Sequence, residues 1–192
     1  MMKITIVVGN PKPASRTGKL AQKLVERMFG GADPDLQVID LVEHVDQLFV
    51  WPSERMAALN ARVAESDLAV FASPTYKASY TGLLKSFLDR YPMNGLNRVP
   101  SLAFMTGGGL AHSLAPTTTL VPLLHELGAV VPYRGLYFNT ERMDAADEIL
   151  DDFAREVLLA LGRCMPVIQA TAPQIQAAAD AEKMVQQEKA HA

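Results

Sequence analysis

Short β-branched apolar runs alternate with longer stretches of helical spacing along the whole chain. Ile4–Gly9 follows Lys3 with the composition of a buried strand, and Leu36–Leu41 repeats it. Between them, Leu20, Leu24, Val25 and Met28 recur at helical spacing, so a helix is expected from Thr17 to Phe29, closed by Gly30-Gly31. Ser53 has the character of an N-cap for a second helix running to about Glu65. Asp67–Ser73 is apolar at successive positions and reads as the central strand, buried on both faces. Leu83, Leu84, Phe87 and Leu88 mark a third helix, whose apolar face is a candidate subunit interface. A fourth strand is expected over Ser101–Thr106, a fourth helix over Leu110–Leu127, a fifth strand beginning at Ala129-Val130-Val131-Pro132, and a fifth helix over Asp144–Leu161.

Strands joined by helices imply a parallel sheet covered on both faces. Five such units predict an α/β fold: a flavodoxin-like, doubly wound, five-stranded parallel sheet with helices on both faces. The rival is one nucleotide-binding half of the Rossmann type. In either, ligands bind at the carboxyl ends of the strands. Three loops are thereby gathered at one sheet edge: Gly9–Thr17, Pro74–Gly82 and Gly107–His112.

The length of 192 residues fits one domain. We assign it to residues 1–170, with 171–192 as a helical tail rich in Ala, Gln, Glu and Lys. A single cysteine, Cys164, excludes a disulfide framework and fits a reducing, cytoplasmic setting. The start Met1-Met2-Lys3 leads into a strand rather than a signal sequence, and no apolar run approaches the ~18 residues of a membrane span. Eighteen basic and 21 acidic residues leave a net charge of −3, no footprint for nucleic acid or an anionic membrane. The four histidines and the cysteine show no metal-ligand spacing.

The first loop follows a strand and opens a helix, the arrangement that offers free amides and a positive dipole end to an anion. It carries Gly9, Ser15, Arg16 and Thr17, but neither the Walker A spacing nor Gly-x-Gly-x-x-Gly. Two readings stand: a phosphate cradle, or a plain N-cap beside a solvated arginine. The second loop, from Pro74 through Thr75, Tyr76, Lys77, Ala78 and Ser79, has small residues that let its backbone lie along a planar heterocycle. Its other reading is an ordinary turn capped by Ser79 or Thr81, with Tyr76 and Tyr80 as surface residues. The third loop, Thr106-Gly107-Gly108-Gly109, permits close backbone approach to a ligand. His112 behind it has the character of a cap-region or surface histidine more than of a catalytic base.

Taken together these residues resemble the NAD(P)H-dependent FMN reductases, particularly the small reductases that supply reduced flavin in sulfonate utilisation. The likeness is carried by Gly9-Asn10-Pro11 leading to Ser15-Arg16-Thr17, by the run from Pro74 to Lys85, and by Thr106-Gly107-Gly108 with Ala111-His112, across most of residues 3–165. It implies FMN and NADPH (or NADH) as ligands. Ser15, Arg16 and Thr17 would hold the 5′-phosphate, Pro74 to Ser79 would flank the isoalloxazine, and Thr106 to Gly109 would close on the ring. Gly9 and His112 complete the expected cofactor-binding set. The resemblance also implies a homodimer or homotetramer and a flavin-dependent monooxygenase as partner. Some sulfonate-type members carry an aromatic residue early in helix four, where this chain has Pro116-Thr117-Thr118-Thr119.

The expected reaction is hydride transfer from NAD(P)H to FMN, with no side-chain nucleophile. Lys12, Lys77 and Arg134 are the basic residues that could read a 2′-phosphate. The rivals are a flavin-retaining quinone or azo-compound reductase, a flavin-dependent metal-ion reductase, and an electron carrier of the flavodoxin class, which tends to be far more acidic than −3.

Overall fold

A computed structural model describes residues 1–190. Five parallel strands, β1 (Lys3–Val8), β2 (Asp35–Asp40), β3 (Leu68–Pro74), β4 (Ser101–Gly107) and β5 (Leu136–Asn139), form one sheet in the order β2-β1-β3-β4-β5. This is the doubly wound order of the flavodoxin type, and β3, buried at every position, lies at its centre. The helices of Met1–Val157 are α1 (Arg16–Met28), α2 (Glu54–Ala64), α3 (Gly82–Leu88), α4 (Val121–Glu126) and the first turns of α5 (Ala146–Ala170).

The period of two along the strands sorts side chains into two cores. Ile4, Ile6, Val8, Val70 and Phe104 face α1 and α5, where Leu20, Leu24, Leu150 and Val157 meet them. Val7, Phe71, Ala103 and Met105 face α2, α3 and α4, meeting Met56, Leu84, Phe87 and Leu124. Each fully buried side chain of this size stabilises the fold by about 1.5–3 kcal/mol. The apolar face of α3 is therefore taken up by its own core: Leu84, Phe87 and Leu88 are buried, which removes it as a subunit interface.

Local signals set most boundaries. Ser15, Ser53 and Thr81 each accept a hydrogen bond from a first-turn amide, so all three are N-caps. Two expectations fail around α4. Residues 108–114 form bends and turns rather than helix, with Ser113 N–H donating to Leu110 O and Ala115 N–H to His112 O. Helical structure then opens with a π-turn, Pro116–Leu120, in which Val121 N–H reaches back to Pro116 O. Pro122 has no amide to donate, and Thr119 turns its hydroxyl onto Ala115 O at 2.7 Å, so the ladder widens here. The fifth strand also starts later than expected. Val130 makes an isolated bridge to Pro100, Pro132 breaks the run, and the paired strand is Leu136–Asn139.

The second compact unit starts at Leu158 and comprises the later turns of α5 and the helix α6 (Ala172–Ala190). α5 thus runs on past Leu161, where the apolar spacing had placed its end. Among the described residues no helix is long and apolar enough to cross a membrane, and no three metal-binding side chains gather.

Candidate functional site

The carboxyl ends of β1, β3 and β4 open into a cleft of about 430 Å³. Its walls come from all three loops picked out by the sequence: Ser15, Arg16 and Thr17 from the first, Pro74, Thr75 and Tyr76 from the second, Thr106, Gly107 and Gly108 from the third. The volume lies within the ~300–1,000 Å³ range of small-molecule sites. The lining holds two cations, Lys12 and Arg16, and no carboxylate. An anionic ligand is therefore favoured.

The first loop is held by a network that the sequence did not disclose. Asn10 Nδ2 donates to Thr17 Oγ1 at 3.1 Å, and Thr17 Oγ1 shares a 2.7 Å hydrogen bond with Thr106 Oγ1. All three residues are buried, so loop one is tied to the end of β4, 89 positions away in the chain. Asn10 Oδ1 also accepts from Lys12 N–H at 2.9 Å, closing a local turn. Ser15 Oγ caps α1 through Gly18 N–H. The hydroxyls of Ser15 and Thr17 are thus engaged within the protein. What faces an incoming anion is the exposed Arg16 and the amides of Arg16 and Thr17, which have no intrahelical acceptor in the first turn.

Beneath this loop, Ala14 N–H donates to Asp40 Oδ2 at 3.2 Å, with Ala14 at φ 48°. Burial pushes the Asp40 carboxyl above its usual range, and Glu43 adds to the rise, against the opposing Ala14 hydrogen bond. Folding therefore favours the protonated form. That contribution is full below the unfolded value and is lost as pH rises through the raised one. Asp40→Asn keeps an acceptor for Ala14 and removes the charge. It should melt at a higher temperature than wild type at pH 7, with the gap closing toward pH 4. Melts showing the same gap at both pH values would overturn this account.

The second loop leaves β3 through Pro74. Thr75 N–H donates to Thr106 O at 2.7 Å, zipping the loop to β4. Tyr76 and Ser79 then exchange backbone hydrogen bonds around Lys77 and Ala78, which sit at φ 51° and 64°. Two consecutive positive φ values are the signature of a type I′ turn, here built without glycine. Such conformations in L-residues cost about 1–2 kcal/mol each. Tyr76, half exposed, lines the cleft; Lys77, Ala78 and Ser79 form the turn and are not among the lining residues. Thr75 Oγ1 is buried at the cleft without a hydrogen-bond partner, an acceptor and donor left for a ligand.

The third loop is braced rather than slack. Gly109 N–H donates to Asn139 Oδ1 and Tyr137 Oη donates to Gly109 O, both at 3.0 Å, while Thr140 Oγ1 donates to Gly107 O at 3.3 Å. A Cβ at residue 107 would lie 2.3 Å from Tyr137 Oη, so a side chain there would push the tyrosine off its bond to Gly109 O. Gly108 has open space around its missing Cβ and lines the cleft; Gly109 does not line it. His112 is exposed in the turn before the π-helical segment and lies outside the lining.

Sequence reasoning missed Asn10, Pro13, Ala14 and Thr140 as lining residues, and had Lys12 only as a candidate for a nucleotide 2′-phosphate. The first three lay within a loop already singled out. Thr140 had no local signal; only the parallel pairing of β5 with β4 brings it to the cleft. Of the residues considered for a 2′-phosphate, Lys12 lines this cleft, Lys77 is exposed in the turn, and Arg134 lines a separate hollow with Tyr133 and Arg155.

Comparison with known proteins adds an independent finding. A family model described as NADPH-dependent FMN reductase matches residues 2–143. An FMN reductase (NADPH) of Pseudomonas aeruginosa is 30% identical over 171 residues, covering 86% of this chain and 91% of that protein. An FMN-dependent NADPH-azoreductase of Staphylococcus saprophyticus is 31% identical over 140 residues, covering 68% of this chain and 74% of that one. Among solved structures, the apo form of an NADH:FMN oxidoreductase superposes with a TM-score of 0.68 at 27% identity, covering 81% of this chain and 90% of the other.

Proposed function

The chain belongs to the NADPH-dependent FMN reductase family, and from that premise we propose how its cleft serves the reaction. The protein is an oxidoreductase, an NAD(P)H-dependent FMN reductase. The observation that carries the reading is the cleft itself: cationic, free of carboxylates, at a helix N-terminus, with the unpartnered Thr75 hydroxyl on its wall. These residues fit FMN, which is both anionic and heterocyclic.

Arg16 and the first amides of α1 hold the phosphate, with Ser15 and Thr17 shaping the cradle through their own hydrogen bonds. Pro74, Thr75 and Tyr76 form one wall for the ring, and Thr106, Gly107 and Gly108 the other. Gly9 supports the cradle from behind by packing on α3. The turn Lys77-Ala78-Ser79 supports the ring wall, and the braced Gly109 supports the opposite one. When bound, FMN supplies the acceptor for a hydride from NAD(P)H. The protein's part is to orient the two partners and exclude water, with the Thr75 hydroxyl and loop amides as donors to the polar edge. Lys12 is the cleft residue placed to read a nucleotide phosphate. The single exposed Cys164 supports a cytoplasmic site of action, and a homo-oligomer and a flavin-dependent monooxygenase partner complete the proposal.

The test is direct. The visible spectrum of the purified protein is recorded, and NADPH and NADH oxidation are followed with and without added FMN. Turnover that depends on added FMN is expected. Yellow protein that reduces quinones or azo compounds without added flavin would move the assignment to the flavin-retaining reductases, of which the matched azoreductase is an example. No oxidation under either condition would refute the reductase reading.

A further inference from the structure

Beyond Val157 the helix α5 keeps an apolar spacing that the two cores do not use. In its first turns Leu150, Ala154 and Val157 are buried. The same alternation of four and three continues through Leu161, Cys164, Ile168, Thr171, Ile175 and Ala178. Of these, Leu161, Ile168 and Ile175 are 36%, 46% and 50% exposed. A sustained 4-3 spacing is that of a helix meshing with another helix. The turns on which Pro166 and Pro173 stand carry them at equivalent outer positions, seven residues apart and off the stripe. Thr171 N–H donates to Val167 O and Ile175 N–H to Thr171 O, both at 3.0 Å, so helical bonding carries from α5 into α6. With no reversal there, α6 does not fold back to cover the stripe.

We infer that a second copy of this chain covers it, in an antiparallel helix pair. Three observations select that occupant. From Leu158 to Ala179 the only charged residue is Arg163, which lies off the stripe, so two copies meet without like-charge repulsion. On or flanking the stripe, Leu158, Leu161, Met165, Val167, Ile168 and Ile175 are each at least 36% exposed. Their burial supplies a large part of the ~800 Å² that one partner brings to a standard interface. Finally, large residues (Leu161, Ile168, Ile175) alternate with small ones (Cys164, Thr171, Ala178). Antiparallel pairing sets each large side chain against a small one on the other copy: Leu161 against Ala178, Ile168 against Thr171, Ile175 against Cys164. One two-fold axis between Gln169 and Ala170 satisfies all three layers, as an isologous contact requires.

The surface lies outside the family match and does not depend on the flavin reading. The test uses the full chain. Light scattering coupled to size exclusion should show Ile168→Glu with half the wild-type molar mass or less, and Leu159→Glu, an exposed outer position, unchanged. Ile175→Cys should give a disulfide-linked dimer on oxidation, through native Cys164 of the other copy. Wild type should not, since its two thiols would sit ~16 Å apart along the pair at 1.5 Å per residue. A monomeric wild type, an unchanged mass for Ile168→Glu, equal effects of both glutamates, or no Ile175→Cys crosslink would each overturn the inference. The mass and crosslink readouts are independent of flavin turnover.

Discussion

Arg16→Ala is expected to weaken FMN binding about 10- to 100-fold, the worth of a charge-assisted hydrogen bond of roughly 1.5–3 kcal/mol. Riboflavin, which has the ring without the phosphate, should lose no more than about twofold. The contrast follows from where Arg16 stands. It is the second residue of the Ser15-Arg16-Thr17 helix start, exposed at the cleft, while its two neighbours turn their hydroxyls to Gly18 N–H and Thr106. Helix-terminus amides remain in the variant, so binding is weakened rather than abolished. Titration of flavin fluorescence with each ligand measures both constants. Equal losses for FMN and riboflavin would mean that Arg16 does not meet the phosphate.

Gly9→Ala should act through the fold. A Cβ at residue 9 would lie 2.5 Å from Leu84 Cβ, 3.1 Å from Thr81 Oγ1 and 3.3 Å from Leu84 Cα. None of these atoms is the free end of a flexible chain. Thr81 is the N-cap of α3 and donates to Gly9 O at 2.5 Å, and Leu84 is fully buried. Relief therefore requires α3 to move as a unit, an overpacking expected near the upper end of ~1–3 kcal/mol. For a chain of this length that is a fall of roughly 6–12 °C in Tm. Thermal melts without flavin measure it, and a Tm within about 2 °C of wild type would refute the steric account. The glycine read from the sequence as part of a ligand loop thus acts by letting β1 approach α3.

This difference shows where local information stops. The strand–helix alternation was legible because it is written in composition and period: a β-branched apolar run for Lys3–Val8, a spacing of 3.6 for Leu20–Met28. The N-cap Ser53 was legible, and Ser15 and Thr81 each stood as one of two cap candidates, because a cap bonds an amide only a few residues away. The centrality of β3 followed from its having no polar face. The sheet-edge rule alone gathers the three loops at one edge. Where the reading slipped, the cause was non-local or was proline. Ala129-Val130 has strand composition, but Pro132 breaks the run and pairing falls to Leu136–Asn139. The glycines after Thr106 postponed helix four, leaving His112 exposed in a turn.

By itself, then, the sequence determined the class of fold, the order of its elements and the three loops that meet at one edge, because each rests on contacts among near neighbours. Only the tertiary structure decided which atoms of those loops are free to bind. Thr17 is held by Thr106, Gly107 lies against Tyr137, and Thr140 is brought alongside Gly107, through links to β4 that span 30 to 89 positions of chain. No local pattern encodes such pairings. They exist because parallel strands place their carboxyl ends side by side whatever the length of chain between them.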